Sequence, residues 1–417
     1  MKILNLPAYF YPENMSSGHL DDDLYQAFAK AGMDVVVYTS TPTRSVTPEV
    51  RIEYKKRKNE MMYDGRVSVH RFSLYDEGRN PVLRALRYVL QCLMQLNKGV
   101  LAKEARTCDI IYVASTPPIK GAVAALIKKI RHIPFVYGLQ DIFPDSLSGA
   151  GLAEKGGWLW KIGTWVANYA YKNADKIIVI SEDFKQNLLF KGVPEEKIEV
   201  VYNWIDEDKV VPITKKENPL YEEFGLCRDK FNVVYAGNLG NAQNIDIIID
   251  SAKELVEDED IEFIIFGTGG LKEQFVEKVK DYGLDNVRFL PLQPIDRVSY
   301  VYGIGDVCIV SCKPGFGGSA LPSKTMTILS AGRPILASFD EGELTSILTE
   351  NHCGVYSKAG DVGAFVASVK RLAANRDECE IMGRNGRDVI LTKFTKDVGT
   401  SKYVEIIKEV IRCKTQD

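Results

Sequence analysis

Two glycine-containing loops and one lysine in the second half of the chain have the residue types that bind a phosphate group. Gly237-Asn238-Leu239-Gly240 follows a predicted strand, and a helix is predicted to begin near Asn244, just after Gln243. Glycines let a backbone approach a ligand, and the first N–H groups of a helix have no partner within it. The second loop, Gly315-Phe316-Gly317-Gly318-Ser319, precedes Lys324 at the predicted start of another helix. We expect an anion site here, although a tight turn and a solvated surface lysine are the alternative.

A third glycine-rich segment, Phe266-Gly267-Thr268-Gly269-Gly270, also ends a predicted strand and opens a helix. Nicotinamide dinucleotide sites contain such a segment, with an acidic residue at the end of the following strand. Here the following strand ends in Arg288-Phe289-Leu290-Pro291, which contains no acid. We therefore expect Gly267 and Gly269 to flank a different ligand.

In the first half, Gln140-Asp141 lies where a strand is predicted to end. Reactive groups of α/β sheets occur at this position, and a carboxylate there could orient a ligand or accept its proton. The alternative is that Asp141 caps the turn before Pro144. Glu13 is a second candidate acid. Ser17-Gly18-His19 opens the first predicted helix, and packing is the alternative role for this histidine.

Composition argues against several classes of partner. The formal net charge is only −3, so no overall field favours nucleic acid. The eight cysteines form no CxxC pair and lie near no histidine at zinc spacing, which predicts free thiols in a reducing cytoplasm. The acidic runs Asp21-Asp22-Asp23 and Asp258-Glu259-Asp260 fall in a predicted helix and a polar loop, and we interpret both as solvated charge. No metal or other cofactor is therefore expected.

The N-terminus predicts a strand and not a signal peptide, and no apolar run approaches the roughly 20 residues that span a bilayer. We expect a cytoplasmic protein. Trp158, Trp160 and Trp165 lie in one segment with Lys161, a mixture typical of the lipid headgroup region. This segment and the apolar helix predicted over 81–100 are candidates for peripheral membrane contact, with core packing as the alternative.

Short β-rich runs alternate with longer helical patterns along the chain, which predicts βαβ units and doubly wound α/β sheets. A polar, proline-containing stretch separates two such sets. We predict Rossmann-like domains over 1–205 and 229–393, a linker over 206–228 and a closing helix over 394–417. Ligands of such sheets bind at the carboxyl ends of the strands, so two facing sheets would define a cleft.

Several segments, taken in order, resemble retaining glycosyltransferases of the group 1 or GT4 family, and they are most similar to the branch that builds bacterial O-antigens and capsules. The carrying segments are Tyr11-Pro12-Glu13, Ser17-Gly18, Gln140-Asp141-Ile142-Phe143-Pro144-Asp145-Ser146, Ala174-Asp175-Lys176-Ile177-Ile178-Val179-Ile180-Ser181, Val201-Tyr202-Asn203-Trp204-Ile205-Asp206, Tyr235-Ala236-Gly237-Asn238-Leu239-Gly240, Leu321-Pro322-Ser323-Lys324 and Ala331-Gly332-Arg333-Pro334. The resemblance covers nearly the whole chain. It implies the GT-B fold, in which two Rossmann-like domains face a cleft, the first binding an acceptor and the second a sugar nucleotide.

The resemblance also implies roles for individual residues. The predicted donor-binding residues are Ser17, Gly18, Gly237, Asn238, Leu239, Gly240, Gln243, Gly267, Gly269, Leu290, Gly317, Gly318, Ser319, Ser323 and Thr327. The predicted catalytic residues are Gln140, Asp141 and Lys324, and the predicted acceptor residues are Glu13 and His19.

This sequence departs from the family pattern at several charged positions. Asn238 and Gln243 occupy the positions of an arginine and a lysine, and Ser319 and Thr327 those of two glutamates. Gln140 stands in place of a histidine. Lys324 is then the nearest cation that could stabilise a leaving diphosphate.

The predicted function is metal-independent transfer of a hexose or N-acetylated amino sugar from a UDP-sugar, with retention, to a lipid-linked or oligosaccharide acceptor. One alternative is a UDP-sugar 2-epimerase of the same architecture, which the presence of only four histidines disfavours. The other alternative is a non-catalytic partner subunit, because several charged family positions are neutral here.

Overall fold

The computed structural model of the protein describes residues 1–13, 18–78, 80–145, 156–317 and 321–414. The chain forms two compact units. The first contains Met1–Tyr202 and Gly399–Asp417, and the second contains Asn203–Val398. No helix of the described residues combines the length and the apolar character needed to span a membrane.

The first unit is built on an eight-stranded sheet. Its strands are β1 (Lys2–Asn5), β2 (Asp34–Ser40), β3 (Asn59–Met62), β4 (Val67–Phe72), β5 (Ile110–Ala114), β6 (Phe135–Leu139), β7 (Lys176–Val179) and β8 (Ile198–Val200). The strand order is β3-β4-β2-β1-β5-β6-β7-β8, and all neighbours are parallel except β3, which pairs antiparallel with β4. The sequence pattern does not predict β3, because its side chains are exposed or half-buried and its apolar signal is weak.

Helices cover the faces of this sheet. They are α1 (Gly18–Lys30), α2 (Pro48–Lys56), α3 (Pro81–Leu101), α4 (Ile119–Arg131), α5 (Trp158–Asn173) and α6 (Glu182–Phe190). Side chains of the central strands, among them Leu4, Val36 and Ile111, are fully buried. Continuous burial of this kind is expected for parallel strands covered on both faces. On one face, α3 packs against α4, and α4 packs against α5.

The second unit contains a six-stranded sheet. Its strands are β9 (Phe231–Asn238), β10 (Ile261–Thr268), β11 (Val287–Leu290), β12 (Val307–Ser311), β13 (Ile335–Phe339) and β14 (Gly354–Lys358). Its helices are α7 (Leu220–Glu223), α8 (Asp246–Glu254), α9 (Lys272–Asp281), α10 (Val298–Gly303), α11 (Ser323–Ser330), α12 (Glu343–Glu350), α13 (Val362–Ala374) and α14 (Arg376–Lys393). The strand order is β11-β10-β9-β12-β13-β14, with every pair parallel, so each unit has a doubly wound Rossmann-like sheet as predicted.

The segment predicted as a linker, residues 206–228, is instead a packed part of the second unit. The Asn218 side chain is fully buried, and its Nδ2 donates to the carbonyl oxygen of Tyr300 at 2.7 Å. The Arg333 Nη2 donates to the carbonyl oxygen of Ile213 at 2.6 Å. Asn218, one of the polar residues that indicate a linker, thus bonds to the backbone of the unit instead.

The last helix, α15 (Lys396–Lys414), joins the first unit from Gly399 onward, within the closing helix predicted over 394–417. The Tyr403 side chain is 1% exposed, and its ring meets that of Tyr112 on β5 edge-on at 5.8 Å between centroids. Helix α15 therefore contributes Tyr403 to the core of the N-terminal unit.

Truncation of Tyr403 tests this packing. Tyr403→Ala leaves a large cavity and should lower the free energy of unfolding of the first unit by about 3–5 kcal/mol. Tyr403→Phe keeps the ring and loses only the hydroxyl contact with Tyr112, so its cost should be about 1 kcal/mol. Urea unfolding followed by tryptophan fluorescence reports mainly on the first unit, which holds three of the four tryptophans. Equal effects of the two substitutions would contradict the packing role.

Candidate functional site

In the second unit, the carboxyl ends of β9 and β10 lie side by side at the site predicted for an anion. The register pairs Gly237 with Gly267 and Asn238 with Thr268. The backbone N–H of Leu239 donates to the carbonyl oxygen of Thr268 at 2.9 Å, and the Leu239 side chain is fully buried. The loop after β9 is thus fixed by the end of β10.

The arrangement of these two loops requires glycine at three positions. A Cβ on Gly267 would lie 2.7 Å from the carbonyl oxygen of Gly237 and 2.7 Å from the Leu239 side chain. Gly237 has φ +146°, a conformation that residues with a side chain rarely adopt. Gly269 lies directly against the backbone of Leu239. The predicted loop residues Gly237, Leu239, Gly267 and Gly269 are therefore brought together.

Lys324, in the first turn of α11, reaches the same loop. Its Nζ would lie 3.2 Å from a Cβ on Gly237 and lies 3.9 Å from the centroid of the Tyr235 ring. The Nζ is buried, and it has no hydrogen-bond partner in the part of the chain that the structure describes. Burial lowers the pKa of the Lys324 ammonium to about 7. A bound anion would give this buried cation the charged partner that stabilises it.

Tyr235 is a site residue that the sequence analysis missed. Its hydroxyl donates to the carbonyl oxygen of Asn238 at 2.7 Å, while its ring face contacts the Lys324 ammonium. The contact is a cation–π interaction, which favours the charged lysine in a dry environment. The available signal was a tyrosine two positions before Gly237 on the same strand.

The neutral residues of the loop bond to one another. The Asn238 Nδ2 donates to the Gln243 Oε1 at 3.4 Å, both next to Gly240. The Ser311 Oγ, at the end of β12, donates to the carbonyl oxygen of Gln243 at 2.6 Å. Because the pair carries no charge, Lys324 is the cation that the predicted site contributes at this loop.

The structure describes four more of the predicted donor residues in the second unit. Gly317 is held by a 2.8 Å hydrogen bond from its N–H to the Asp340 Oδ2, a contact that the sequence did not reveal. Ser323 is exposed at the start of α11, and Thr327 is partly buried one turn later. Leu290 ends β11 with its side chain buried. The predicted residues Ser17, Gly318 and Ser319 lie outside the described residues.

The first unit contains a separate cavity of about 490 Å³ at the N-terminus of α1. Gly18 and both predicted acceptor residues, Glu13 and His19, line it together with five aromatic side chains. These are Tyr9, Phe10, Tyr11, Tyr25 and Tyr63. Aromatic faces beside carboxylates and hydroxyls suit a polyhydroxylated ligand, because apolar ring faces and hydrogen-bonding groups are presented together.

Glu13 mainly organises the wall of this cavity. Its Oε1 accepts backbone N–H groups of Thr43 at 2.8 Å and Arg44 at 2.9 Å. Burial raises the pKa of the Glu13 carboxyl, against the lowering effect of these backbone donors. His19 is exposed at the first turn of α1. Glu13 therefore ties the loop after β1 to the loop after β2.

The interpretation of residues 21–23 as solvated charge is wrong for Asp21, which faces the cavity. Burial raises the pKa of its carboxyl to about 6, with the nearby Lys120 acting in the opposite direction. Lys120 is 1% exposed, its Nζ donates to the carbonyl oxygen of Leu6, and burial lowers its pKa to about 7. Sequence pattern alone failed here because three consecutive acids on a helix point in different directions.

Gln140 and Asp141 follow β6 at the carboxyl edge of the first sheet, as predicted. The N–H of Gln140 donates to the Ser115 Oγ at 3.0 Å, which fixes the chain as it leaves the strand. Gln140 is half-buried, and Asp141 is exposed. Burial raises the pKa values of Tyr137 and Tyr171, and the charge of Asp141 makes a smaller contribution in the same direction to both.

The tryptophans named as a membrane contact differ in their surroundings. Trp158 is 71% exposed and Trp165 is 68% exposed, whereas Trp160 is half-buried. Within the described residues, no group of three or more His, Cys, Asp or Glu side chains is arranged to hold a metal ion.

Comparison with known proteins identifies the class. Residues 22–209 match Glycosyltransferase Family 4, and residues 221–389 match Glycosyl transferases group 1. The two Rossmann-like units and these matches define a glycosyltransferase of the GT-B fold. The chain belongs to the group 1, family 4 glycosyltransferases.

Individual proteins are similar over most of the chain. The probable glycosyltransferase WbjE of Pseudomonas aeruginosa is 23% identical over 350 residues, which are 82% of this chain and 84% of WbjE. The putative colanic acid biosynthesis glycosyl transferase WcaI of Escherichia coli (strain K12) is 26% identical over 343 residues, 80% of this chain and 82% of WcaI. The structure of Anabaena HepE in complex with UDP matches with a TM-score of 0.71 at 16% identity, over 98% of this chain and 100% of HepE.

Gly267→Ala tests whether the two loops must touch. Since the new Cβ would meet backbone atoms of the Gly237 loop, we expect a loss of about 1–3 kcal/mol of stability in the second unit. Gly270→Ala is the matched control, because its Cβ would have nothing within 4 Å. Thermal unfolding of both variants measures the difference. Equal unfolding midpoints would show that the loop yields to the methyl group.

Proposed function

We propose that this glycosyltransferase transfers a hexose or an N-acetylated amino sugar from a UDP-sugar to a lipid-linked or oligosaccharide acceptor, with retention and without a metal ion. The acceptor would belong to a bacterial surface polysaccharide assembled at the cytoplasmic face of the membrane. The similarity to a protein named for colanic acid biosynthesis supports this class of product, and the UDP complex of HepE supports the nucleotide.

The observation that carries the proposal is the buried Nζ of Lys324 beside the Gly237 loop, which has no hydrogen-bond partner among the residues that the structure describes. Backbone N–H groups of the loop and of the first turn of α11 would bind the oxygens of the diphosphate. The Lys324 ammonium would stabilise the negative charge that grows on the diphosphate as the bond to the sugar breaks. Leu290 lies at the end of β11, where its backbone would meet the base.

On the acceptor side, the cavity of the first unit is proposed to hold a sugar of the acceptor. Its aromatic walls would stack on the sugar ring, while His19 and Asp21 would bond to its hydroxyls. Gln140 and Asp141, on the carboxyl edge of the same sheet, would orient the reacting groups. With the pKa of Asp21 at about 6, this carboxyl is largely ionised at neutral pH and serves as a hydrogen-bond acceptor.

Titration with UDP tests the role of Lys324. We expect Lys324→Ala to weaken UDP binding at least tenfold, or ~1.4 kcal/mol, because the diphosphate loses its cation. The diphosphate should also return the lysine pKa from about 7 toward its usual value. Binding at pH 8 would then take up nearly one proton, and affinity would fall as the pH rises above 7. Calorimetry in two buffers of different ionisation enthalpy measures both effects.

Lys280→Ala is the matched control for this titration. Lys280 is exposed near the C-terminal end of α9, and that end of the helix lies at the amino edge of the sheet. Its removal should leave affinity and proton uptake unchanged. Absence of UDP binding by the wild type would contradict a UDP-sugar as the donor and favour a non-catalytic partner subunit.

Asp141→Asn tests the acceptor side separately. The substitution keeps the shape and removes the charge, so turnover should fall roughly 100-fold while UDP affinity stays constant. Asp109→Asn, at the amino edge of the same sheet, is the control. Initial rates with a UDP-sugar and a glycan acceptor measure the effect. Unchanged turnover in Asp141→Asn would remove this residue from the proposed chemistry.

A further inference from the structure

Helix α3 carries its polar side chains inward. Arg87, Gln91 and Gln95 are at most 1% exposed, and each bonds to backbone oxygens of the first unit. The Gln91 Nε2 donates to the carbonyl oxygen of Ala8 at 2.7 Å, and the Gln95 Nε2 donates to that of Pro7 at 2.9 Å. The inner face of this helix is therefore partly polar, and only Cys92, Leu96 and Val100 of its described apolar residues pack against the core of the unit.

The outer face of α3 is apolar and exposed to water. Its exposed apolar residues are Val82, Leu83, Leu86, Val89, Leu93, Met94 and Leu101. Val82 is 73% exposed and Leu93 is 56% exposed. A helix on the surface of a globular protein ordinarily has the opposite arrangement, with its apolar stripe toward the core. The exposed stripe thus indicates a partner that is itself apolar.

The neighbouring helices extend this surface. On α4, Leu126 and Ile130 are exposed. On α5, the exposed residues Trp158, Ile162 and Trp165 recur at helical spacing and form one stripe. Since α3 packs on α4 and α4 on α5, the three stripes share one face of the first unit, which we call the apolar face.

The charge of these helices has one sign. Together α3, α4 and α5 contain nine Lys and Arg residues and no Asp or Glu, whereas the whole chain has a formal charge of −3. The rest of the chain therefore carries −12, since −3 minus 9 is −12. Arg87 and Lys120 are buried, but Lys129, Lys161 and Lys172 are exposed among the apolar side chains. In the described residues, no ion pair involves these three lysines.

We propose that the apolar face docks on the surface of an anionic phospholipid bilayer, with Trp158, Trp165 and the outer side chains of α3 entering the headgroup region. Exposed tryptophans, aliphatic side chains and lysines without acids match the apolar boundary and the negative charge of such a surface. A second copy of the chain fits less well. Two identical basic faces would bring like charges together in a symmetric dimer.

Docking here would place the acceptor cavity next to the lipid, and this link rests on the proposed function. The hydroxyls of Tyr9, in the cavity wall, and Tyr88, on α3, lie 2.5 Å apart. Gln91 and Gln95 hold the chain at Pro7 and Ala8, directly before the cavity residues. Helix α3, which would face the bilayer, is thus also the helix that holds the chain directly before the cavity residues.

Vesicle flotation of the full chain tests the proposal. We expect the wild type to float with vesicles of phosphatidylcholine containing 30% phosphatidylglycerol, and much less with pure phosphatidylcholine. The exposed tryptophans should shift their fluorescence to the blue and be quenched by brominated lipid. Lys129→Gln with Lys161→Gln removes two charges and should weaken binding to the anionic vesicles roughly 25-fold, at about fivefold per charge.

Leu93→Asp with its matched control Ile52→Asp separates docking from folding. The two side chains are 56% and 57% exposed in the same unit, and Ile52 lies on α2, away from the apolar face. Leu93→Asp should abolish flotation, and Ile52→Asp should not, with equal thermal stability. Failure of the wild type to float, equal flotation of both variants, or dimerisation through this face without lipid binding would each overturn the proposal. UDP calorimetry on the same samples shows whether the donor site is intact, so a failure of docking is distinct from a failure of the proposed function.

Discussion

The burial of the Lys324 ammonium is the constraint around which the loops of the second unit are arranged. The Lys324 ammonium is buried without a hydrogen-bond partner among the described residues, and the ring of Tyr235 faces it. The ring offers a partial negative charge and no hydrogen bond, so the protein stabilises the cation incompletely. The paired ends of β9 and β10 hold the Gly237 loop within reach of this cation. The second unit therefore folds with a cation already in position to bind an anion.

Lys324 is important to the proposed site because two loop positions that are charged in the family, Asn238 and Gln243, are neutral in this chain. The Lys313 Nζ is already bonded to the Asn241 Oδ1 of the same loop at 2.5 Å, and Asn238 and Gln243 bond to each other and carry no charge. Such a pair positions a backbone without competing for the phosphate charge. The proposed site thus combines one desolvated cation with backbone N–H donors, and it needs no dense cluster of basic side chains.

Much of the fold could be predicted from the sequence because its strands are buried on both faces. The continuous apolar run at β10 and the shorter runs around it predict a parallel sheet, and the structure has one in each unit. The antiparallel β3 escaped prediction because it lies at an exposed edge. The stretch 206–228 was assigned to a linker because its burial depends on side-chain bonds to distant backbone atoms, which local composition does not encode.

The candidate site was predictable only in part. Glycines and a lysine are visible as residue types, so Gly237, Gly267 and Lys324 could be selected from spacing. The approach of Tyr235 to Lys324, and the burial of Asp21 beside Lys120, depend on tertiary packing. Three adjacent acids give no sign that two of them, Asp21 and Asp22, line a cavity.

The division of the chain also sets the order in which the units can be completed during synthesis. Residues 203–398 form an insertion whose two ends meet, since the N–H of Ile205 donates to the carbonyl oxygen of Phe394 at 3.1 Å. This continuous unit contains all its own strands once Val398 has left the ribosome. The first unit begins earlier but must wait for α15, whose Tyr403 completes its core. The N-terminal unit is therefore the last to be finished, because the helix that completes its core is translated after the whole of the second unit.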